Sequence, residues 1–270
     1  PSEGAVRKFG RGKEGTWNPQ VVVALAVTRE GLPVRCWVFP GNTTDVNTVE
    51  KVRSDLRGWS LNRALFVADA GMNSEDNREE LSRACGKYIF ATRMAKVKEI
   101  KQEVLTKRGP YTAIRDNLHA KEVIVGEGER RRRYILCYNP NEAKRQKQHR
   151  EQKIKFLKEE LEKHPDRQAN AQWAIELLAS SRYKRYLTIT KSNNIRIDRK
   201  SIREAERYDG KWVLQTNDDT ISVEDAACGY KGLMIIERCF RSLKRTQIKM
   251  APMFHWAPRR IETHVKICIL

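Results

Sequence analysis

Residues 19–45 read PQVVVALAVTREGLPVRCWVFPGNTTD. Two apolar, Val-rich runs, Gln20–Thr28 and Pro33–Phe39, flank Arg29-Glu30-Gly31-Leu32, and that spacing predicts a β-hairpin. Pro40-Gly41-Asn42 ends the second strand, since proline cannot donate to a ladder and glycine admits a turn. Thr43–Leu56 then carries a helical pattern, with Thr44 or Asp45 as N-cap. Ala64–Ala68 is a short buried strand that ends at Asp69-Ala70-Gly71. Ser74–Ala84 is a helix capped by Ser74 with acids in its first turn, and Tyr88–Thr92 is a further buried strand.

Hairpin, helix, strand, helix, strand is the order of an RNase H-like α/β fold, a mixed sheet flanked by helices, from its second strand onward. The pattern then changes. Lys121–Val125 and Arg131–Tyr138 read as a hairpin around Gly126-Glu127-Gly128-Glu129. Asn141–Glu162 is a highly charged helix with a thin apolar stripe (Ile154, Leu157, Leu161), which Pro165 ends, and Gln168–Ala179 is a second helix. Arg185–Thr190, Ile195–Asp198 and Lys211–Thr216 are short strands. The expected organisation is a basic, Gly-rich flexible arm over 1–18, the first part of the core over 19–95, a mostly β insertion with a helical excursion over 96–208, and the rest of the core over 209–270.

Charge narrows the partner. Lys and Arg number 53 against 34 acids among 270 residues, a net charge of +19 and a pI near 9.8. Such an excess favours an acidic polymer, and nucleic acid over an anionic membrane. No apolar run approaches the roughly 18–20 residues that span a bilayer, and no signal-peptide pattern opens the chain, so a cytoplasmic protein is expected. The six cysteines (36, 85, 137, 228, 239, 268) lack C-x-x-C spacing and read as reduced. The chain opens on Pro1 and stops within the apolar run Val265–Leu270, which reads as a piece of a longer protein.

Residues 229–244, GYKGLMIIERCFRSLK, form an amphipathic helix by pattern. At about 100° per residue, Tyr230, Glu237, Arg241 and Lys244 share one stripe, while Ile235, Ile236, Cys239, Phe240 and Leu243 form the back. A solvated face with a Glu237–Arg241 pair is the plain alternative.

The spacing of that stripe resembles the Y-x2-R-x3-E-x6-K motif of DDE transposases of the IS4 group. It stands here as Tyr230, Leu233, Glu237 and Lys244, with Leu233 in the place of arginine. Residues 19–45, LFVADAGM at 65–72, RYDGKWVLQTND at 207–218 and MFHWAPRRIETHVKICIL at 253–270 resemble the IS1634 branch. The resemblance covers most of the chain. It implies an RNase H-like domain interrupted between the second aspartate and the glutamate. Also implied are metal-dependent DNA cleavage and strand transfer at insertion-sequence ends, double-stranded DNA carrying terminal inverted repeats as partner, and a homodimer on paired ends.

Asp69 lies at the carboxyl end of a strand, where sites form in open α/β sheets. Capping the next helix is its alternative role, but Ser74 is better placed for that. Glu237 could pair with Asp69 to hold Mg²⁺ or Mn²⁺, since hard cations take oxygen ligands and keep several waters. Two such ions activate a water or 3′-hydroxyl and stabilise the leaving oxygen. The family's first acid sits on a strand before the hairpin and is expected upstream of residue 1, with Asp45 read as a helix cap. By resemblance Tyr230 and Lys244 contact phosphates near the scissile bond. Arg241, on the stripe, or Arg238 takes over from the missing arginine. Trp256 reads as a core tryptophan or a stacking platform, and His255 and His264 carry no ligand-like spacing. Two other functions remain open: a catalytically inactive DNA-binding transposase remnant, and an RNase H-like nuclease.

Overall fold

The computed structural model describes residues 6–12, 15–28, 30–59, 65–83, 86–243, 250 and 253–269. In chain order the elements are β1 (Lys8–Arg11), β2 (Trp17–Val27), β3 (Pro33–Pro40), α1 (Val49–Gly58), β4 (Leu65–Ala68), α2 (Glu75–Ser82) and β5 (Lys87–Thr92). Then come β6 (Thr112–Arg115), β7 (Leu118–Val125), β8 (Arg132–Tyr138), α3 (Pro140–Lys163), α4 (Gln172–Ala179), β9 (Leu187–Ile189), β10 (Ile195–Ile197) and α5 (Arg199–Glu206). The chain continues with β11 (Lys211–Thr216), α6 (Val223–Lys231), α7 (Leu233–Leu243) and α8 (Pro258–Ile269). A six-stranded sheet runs in the order β4-β5-β11-β8-β7-β6. It is mixed, because β4 and β5 pair in parallel and β6 and β7 antiparallel. The fold is thus α/β with a mixed sheet flanked by helices, as the element order predicts.

Two compact units divide the chain: Pro1–Arg93, Ile124–Ile135 and Leu214–Leu270 form one, Met94–Val123 and Leu136–Val213 the other. In the first, β1, β2 and β3 make an antiparallel sheet with Val23 opposite Val38 and Leu25 opposite Cys36. The β2–β3 turn closes through Gly31, whose N–H donates to the Thr28 carbonyl at 3.0 Å. Its φ of 92° is one that only glycine adopts without strain. Around β4 and β5, Val49, Ala68, Leu81, Tyr88 and Phe90 form a buried cluster under Phe66 and Met72. Trp37 Nε1 on β3 donates to Asp55 Oδ2 on α1 at 2.7 Å, and Arg35 pairs with the same oxygen at 3.1 Å.

The second unit has its own core of Leu157, Leu161, Ala174, Leu177, Tyr186, Leu187, Ile195 and Ala205. Asn139 caps α3 by accepting from the Glu142 N–H, and Pro140 opens the helix, where a missing N–H costs nothing. Arg150, 5 % exposed, forks onto both oxygens of Asp209 at 2.6 Å each. Besides its strands this unit contains the 24 residues of α3, longer than any other element.

The helix expected over Gln168–Ala179 starts only at Gln172, because Gln168 bridges to Asn194, and three further departures bear on the site. Residues 8–11, expected within a flexible arm, form β1 and pair with β2, Lys8 opposite Gln20. Glycines allow that approach: a Cβ on Gly10 would fall 2.0 Å from the Gly41 carbonyl oxygen. A 3-10 turn, Asp45–Thr48, precedes α1, so the regular helix starts at Val49 and not near Thr43. The expected single helix over 229–244 is two. The first starts at Val223, capped by Ser222, and ends at Gly232, before the second begins at Leu233.

Candidate functional site

β4 points its chain at the site. Its last residue, Ala68, is buried opposite Phe90 of β5, and Asp69 follows in solvent. The Met72 N–H closes a turn onto the Asp69 carbonyl at 3.0 Å. An aspartate at the first position of such a turn commonly bonds its own backbone. Asp69 does not do so. Its Oδ1 accepts from the Tyr230 hydroxyl at 3.1 Å, and Oδ2 has no hydrogen bond among the described residues. Ser74 caps α2 by accepting from the Asn77 N–H, so Asp69 is not needed for that task.

Two asparagines hold this turn, and the sequence pattern did not single them out. Asn77, 7 % exposed, donates through Nδ2 to the carbonyls of Met72 at 2.9 Å and Val46 at 3.0 Å. Asn73 donates to the Ala91 carbonyl at 2.9 Å and accepts from Arg78 at 2.6 Å. A buried polar side chain on an amphipathic helix is the signal that could have marked Asn77, because such a group must find partners. By tying Val46 to Met72 it brings the 45–48 turn beside the 69–72 turn. A Cβ on Gly71 would lie 3.7 Å from Asp45 Oδ2. Asp45 itself opens the 3-10 turn after Thr44, and no capping hydrogen bond from Thr44 accompanies it.

Tyr230 reaches Asp69 because α6 lies close on β4 and β5. Ala226 and Ala227 are fully buried, and a Cβ on Gly229 would meet Ile89 Cδ1 at 4.0 Å. Small residues on that face allow the approach. Gly232 then caps α6, its N–H bonding to the Cys228 and Gly229 carbonyls, and α7 packs beside the β2–β3 hairpin. Cys239 Sγ donates to the Gly31 carbonyl at 3.2 Å, and a Cβ on Gly31 would sit 3.0 Å from Ile235 Cγ2. Ile235, Ile236, Cys239 and Phe240 are half-buried and form the back, as the pattern requires.

Glu237, Arg238 and Arg241 are exposed. Among the described residues no ion pair joins Glu237 to Arg241, while both side chains stand in solvent, as a solvated face requires. The structure therefore joins Asp69 to Tyr230 by a hydrogen bond and leaves Glu237 and Arg241 presented to solvent. Lys244 lies outside the described residues.

Exposed carboxylates with unbonded oxygens fit a hard divalent cation better than a soft one. Asp69 and Glu237 supply only oxygen donors. No group of three or more His, Cys, Asp or Glu is gathered for a metal among the described residues. His255 and His264 contact each other edge to face at 5.3 Å, outside any such group. Trp256, read as a core tryptophan or a stacking platform, is 68 % exposed, with the Arg7 guanidinium 4.1 Å over its ring. The cation–π contact gives the indole a partner that burial would otherwise have supplied. Cys36, Cys137, Cys228, Cys239 and Cys268 are free thiols, and Cys85 lies outside the described residues.

No helix among the described residues is long and apolar enough to cross a membrane. No curated protein and no solved structure matches the chain. The family model described as transposase DDE domain matches residues 1–270. That match spans the whole chain, and the chain belongs to the transposase DDE domain family.

Proposed function

We propose that this chain is the catalytic domain of an insertion-sequence transposase of the IS4 type, IS1634-like branch, which cleaves DNA at terminal inverted repeats and transfers the strands. Transposase DDE domains use divalent metal ions, and here Asp69 and Glu237 would hold Mg²⁺ or Mn²⁺. The bound ions would lower the pKa of a water or 3′-hydroxyl and stabilise the leaving oxygen. The observation that carries the reading is the Tyr230–Asp69 hydrogen bond of 3.1 Å. It puts the tyrosine of the helical motif directly on the acid of the strand end, 161 residues away in sequence.

The chain's own residues then divide the work. Asp69 and Glu237 would be the metal ligands. Tyr230 fixes the orientation of the Asp69 carboxylate and keeps Oδ2 available. Arg241 and Lys244 neutralise phosphates beside the scissile bond, Lys244 as a point charge and Arg241 as a fork. Residues 96–208 form an insertion between the two acids, and the protein acts in the cytoplasm as a dimer on paired ends. The test is binding to a terminal-repeat duplex against a random duplex of equal length. A transposase prefers its repeat by at least about a thousandfold, the low end for specific sites. Equal affinity for both would instead favour a general RNase H-like nuclease.

A further inference from the structure

Five cations converge on one cleft of about 560 Å³ in the second unit: Lys158, Arg167, Arg196, Arg199 and Lys200. They come from α3, the segment before Gln168, β10 and the start of α5, so no single helix face accounts for them. The fold fixes their backbones. Arg196 stands opposite Thr188 in the β9–β10 pair, and the Arg167 carbonyl accepts from the Ile195 N–H at 2.8 Å. Ile195 and Leu161 are core residues beneath them.

Among the described residues, none of the five makes an ion pair. Lysines elsewhere on α3 do: Lys163 with Glu160 at 2.5 Å and Lys155 with Glu159 at 4.0 Å. Two acids line the same cleft, Glu162 and Asp198. Asp198 is committed to capping α5, accepting from the Lys200 and Ser201 N–H groups and from Ser201 Oγ at 2.6 Å. Like charges brought together at a concave surface repel and raise the local positive potential, which an anion relieves. No aromatic ring lines the cleft, so it offers no platform for stacking a base.

We propose that this cleft binds the phosphodiester backbone of duplex DNA and supplies sequence-independent affinity, in addition to contacts near Asp69 and Glu237. The inference rests on DNA being the substrate. Arginine forks and lysine point charges both suit phosphate oxygens, and each neutralised phosphate releases condensed counterions.

The test compares Arg167→Gln/Arg196→Gln/Arg199→Gln with Arg145→Gln/Lys155→Gln/Lys163→Gln, which removes the same charge from ion-paired positions outside the cleft. Duplex affinity is followed by fluorescence anisotropy across a salt series. The cleft variant should lose about 2–3 from the log–log salt slope and bind at least about tenfold more weakly at roughly 0.1 M salt. It should do so equally for terminal-repeat and random duplexes, while the control variant shifts far less. Thermal melting checks the fold. If the triple variant unfolds, the three single substitutions should each lower the slope by about 1. An unchanged slope in the cleft variant overturns the proposal while leaving DNA as substrate intact. Unchanged duplex affinity together with lost calorimetric binding of inorganic tripolyphosphate assigns the cleft to a free phosphate and also overturns it. A wild-type chain that binds no duplex overturns the DNA reading itself, and this inference with it.

Discussion

The Tyr230 hydroxyl donates to Asp69 Oδ1 at 3.1 Å, joining the last turn of α6 to the end of β4. A phenol on one carboxylate oxygen fixes the torsion of the side chain and aims the other oxygen outward. Tyr230→Phe keeps the ring and removes the hydroxyl that donates to Asp69. Metal-dependent cleavage should fall about 10- to 100-fold, as for other groups that orient a metal ligand. The melting temperature should move little, because one solvent-exposed hydrogen bond contributes only about 0.5–1.5 kcal/mol net. Full activity in the phenylalanine variant would show that the contact does not position Asp69.

Gly31 sets how closely α7 approaches the hairpin. Its φ of 92° disfavours any Cβ, and one added there would press on Ile235 Cγ2 at 3.0 Å. Gly31→Ala should therefore destabilise the first unit by about 1–3 kcal/mol through strain and overpacking. Urea unfolding would measure it. A neutral result would mean that α7 shifts freely, and with it Glu237.

Asp55 gives this unit an acid sensitivity with a definite sign. The hydrogen bond from Trp37 Nε1, aided by Lys51 and Arg35, holds its carboxyl below the usual carboxylate range. A depressed folded pKa adds stability that is fully present above the unfolded value, about pH 3.9, and is lost as pH falls through the folded value. Thermal melts of wild type and Asp55→Asn should differ most near neutral pH and converge in acid. Parallel pH profiles would exclude this carboxylate as the source.

In the second unit the Arg150–Asp209 pair is a matched fork with both bonds at 2.6 Å. Asp209→Ala leaves a guanidinium whose side chain is 5 % exposed with the longer pair to Glu206 at 3.8 Å in place of its fork. Removing one partner of a buried pair typically costs about 3–5 kcal/mol. Denaturant unfolding should show a loss of that order, and replacing both residues together should recover part of it.

Much of this fold was legible because its strands announce themselves. The Val-rich runs around Gly31 and the LFVA run before Asp69 have composition and punctuation that only β structure uses. Ser74 as cap followed from Ser with acids after it. β1 was not legible, because KFGR carries no alternation and owes its place to close contact of Gly10 with Gly41. The break at Gly232 was hidden for a related reason. An apolar stripe continues across it, and one glycine in a helical pattern is tolerated as often as it interrupts. Trp256 defeated the rule that tryptophans seek the core, since Arg7 satisfies its ring in solvent. For the proposed site, Asp69 stands out by its place at a strand end, while Tyr230 and Glu237 are named through the motif they resemble. Asn77 is not singled out, because its burial is not visible in the pattern and one of its acceptors, the Val46 carbonyl, lies 31 residues away.

The central claim is that Asp69 and Glu237 together serve metal-dependent cleavage of DNA. The direct measurement is nicking of supercoiled plasmid in Mg²⁺ and in Mn²⁺ by the full-length wild-type protein and its Asp69→Asn and Glu237→Gln variants, with duplex affinity measured on the same preparations. The account predicts nicking by the wild type alone, with all three proteins binding duplex almost equally. Nicking that persists in Glu237→Gln, or a large loss of duplex affinity accompanying it, would contradict the assignment.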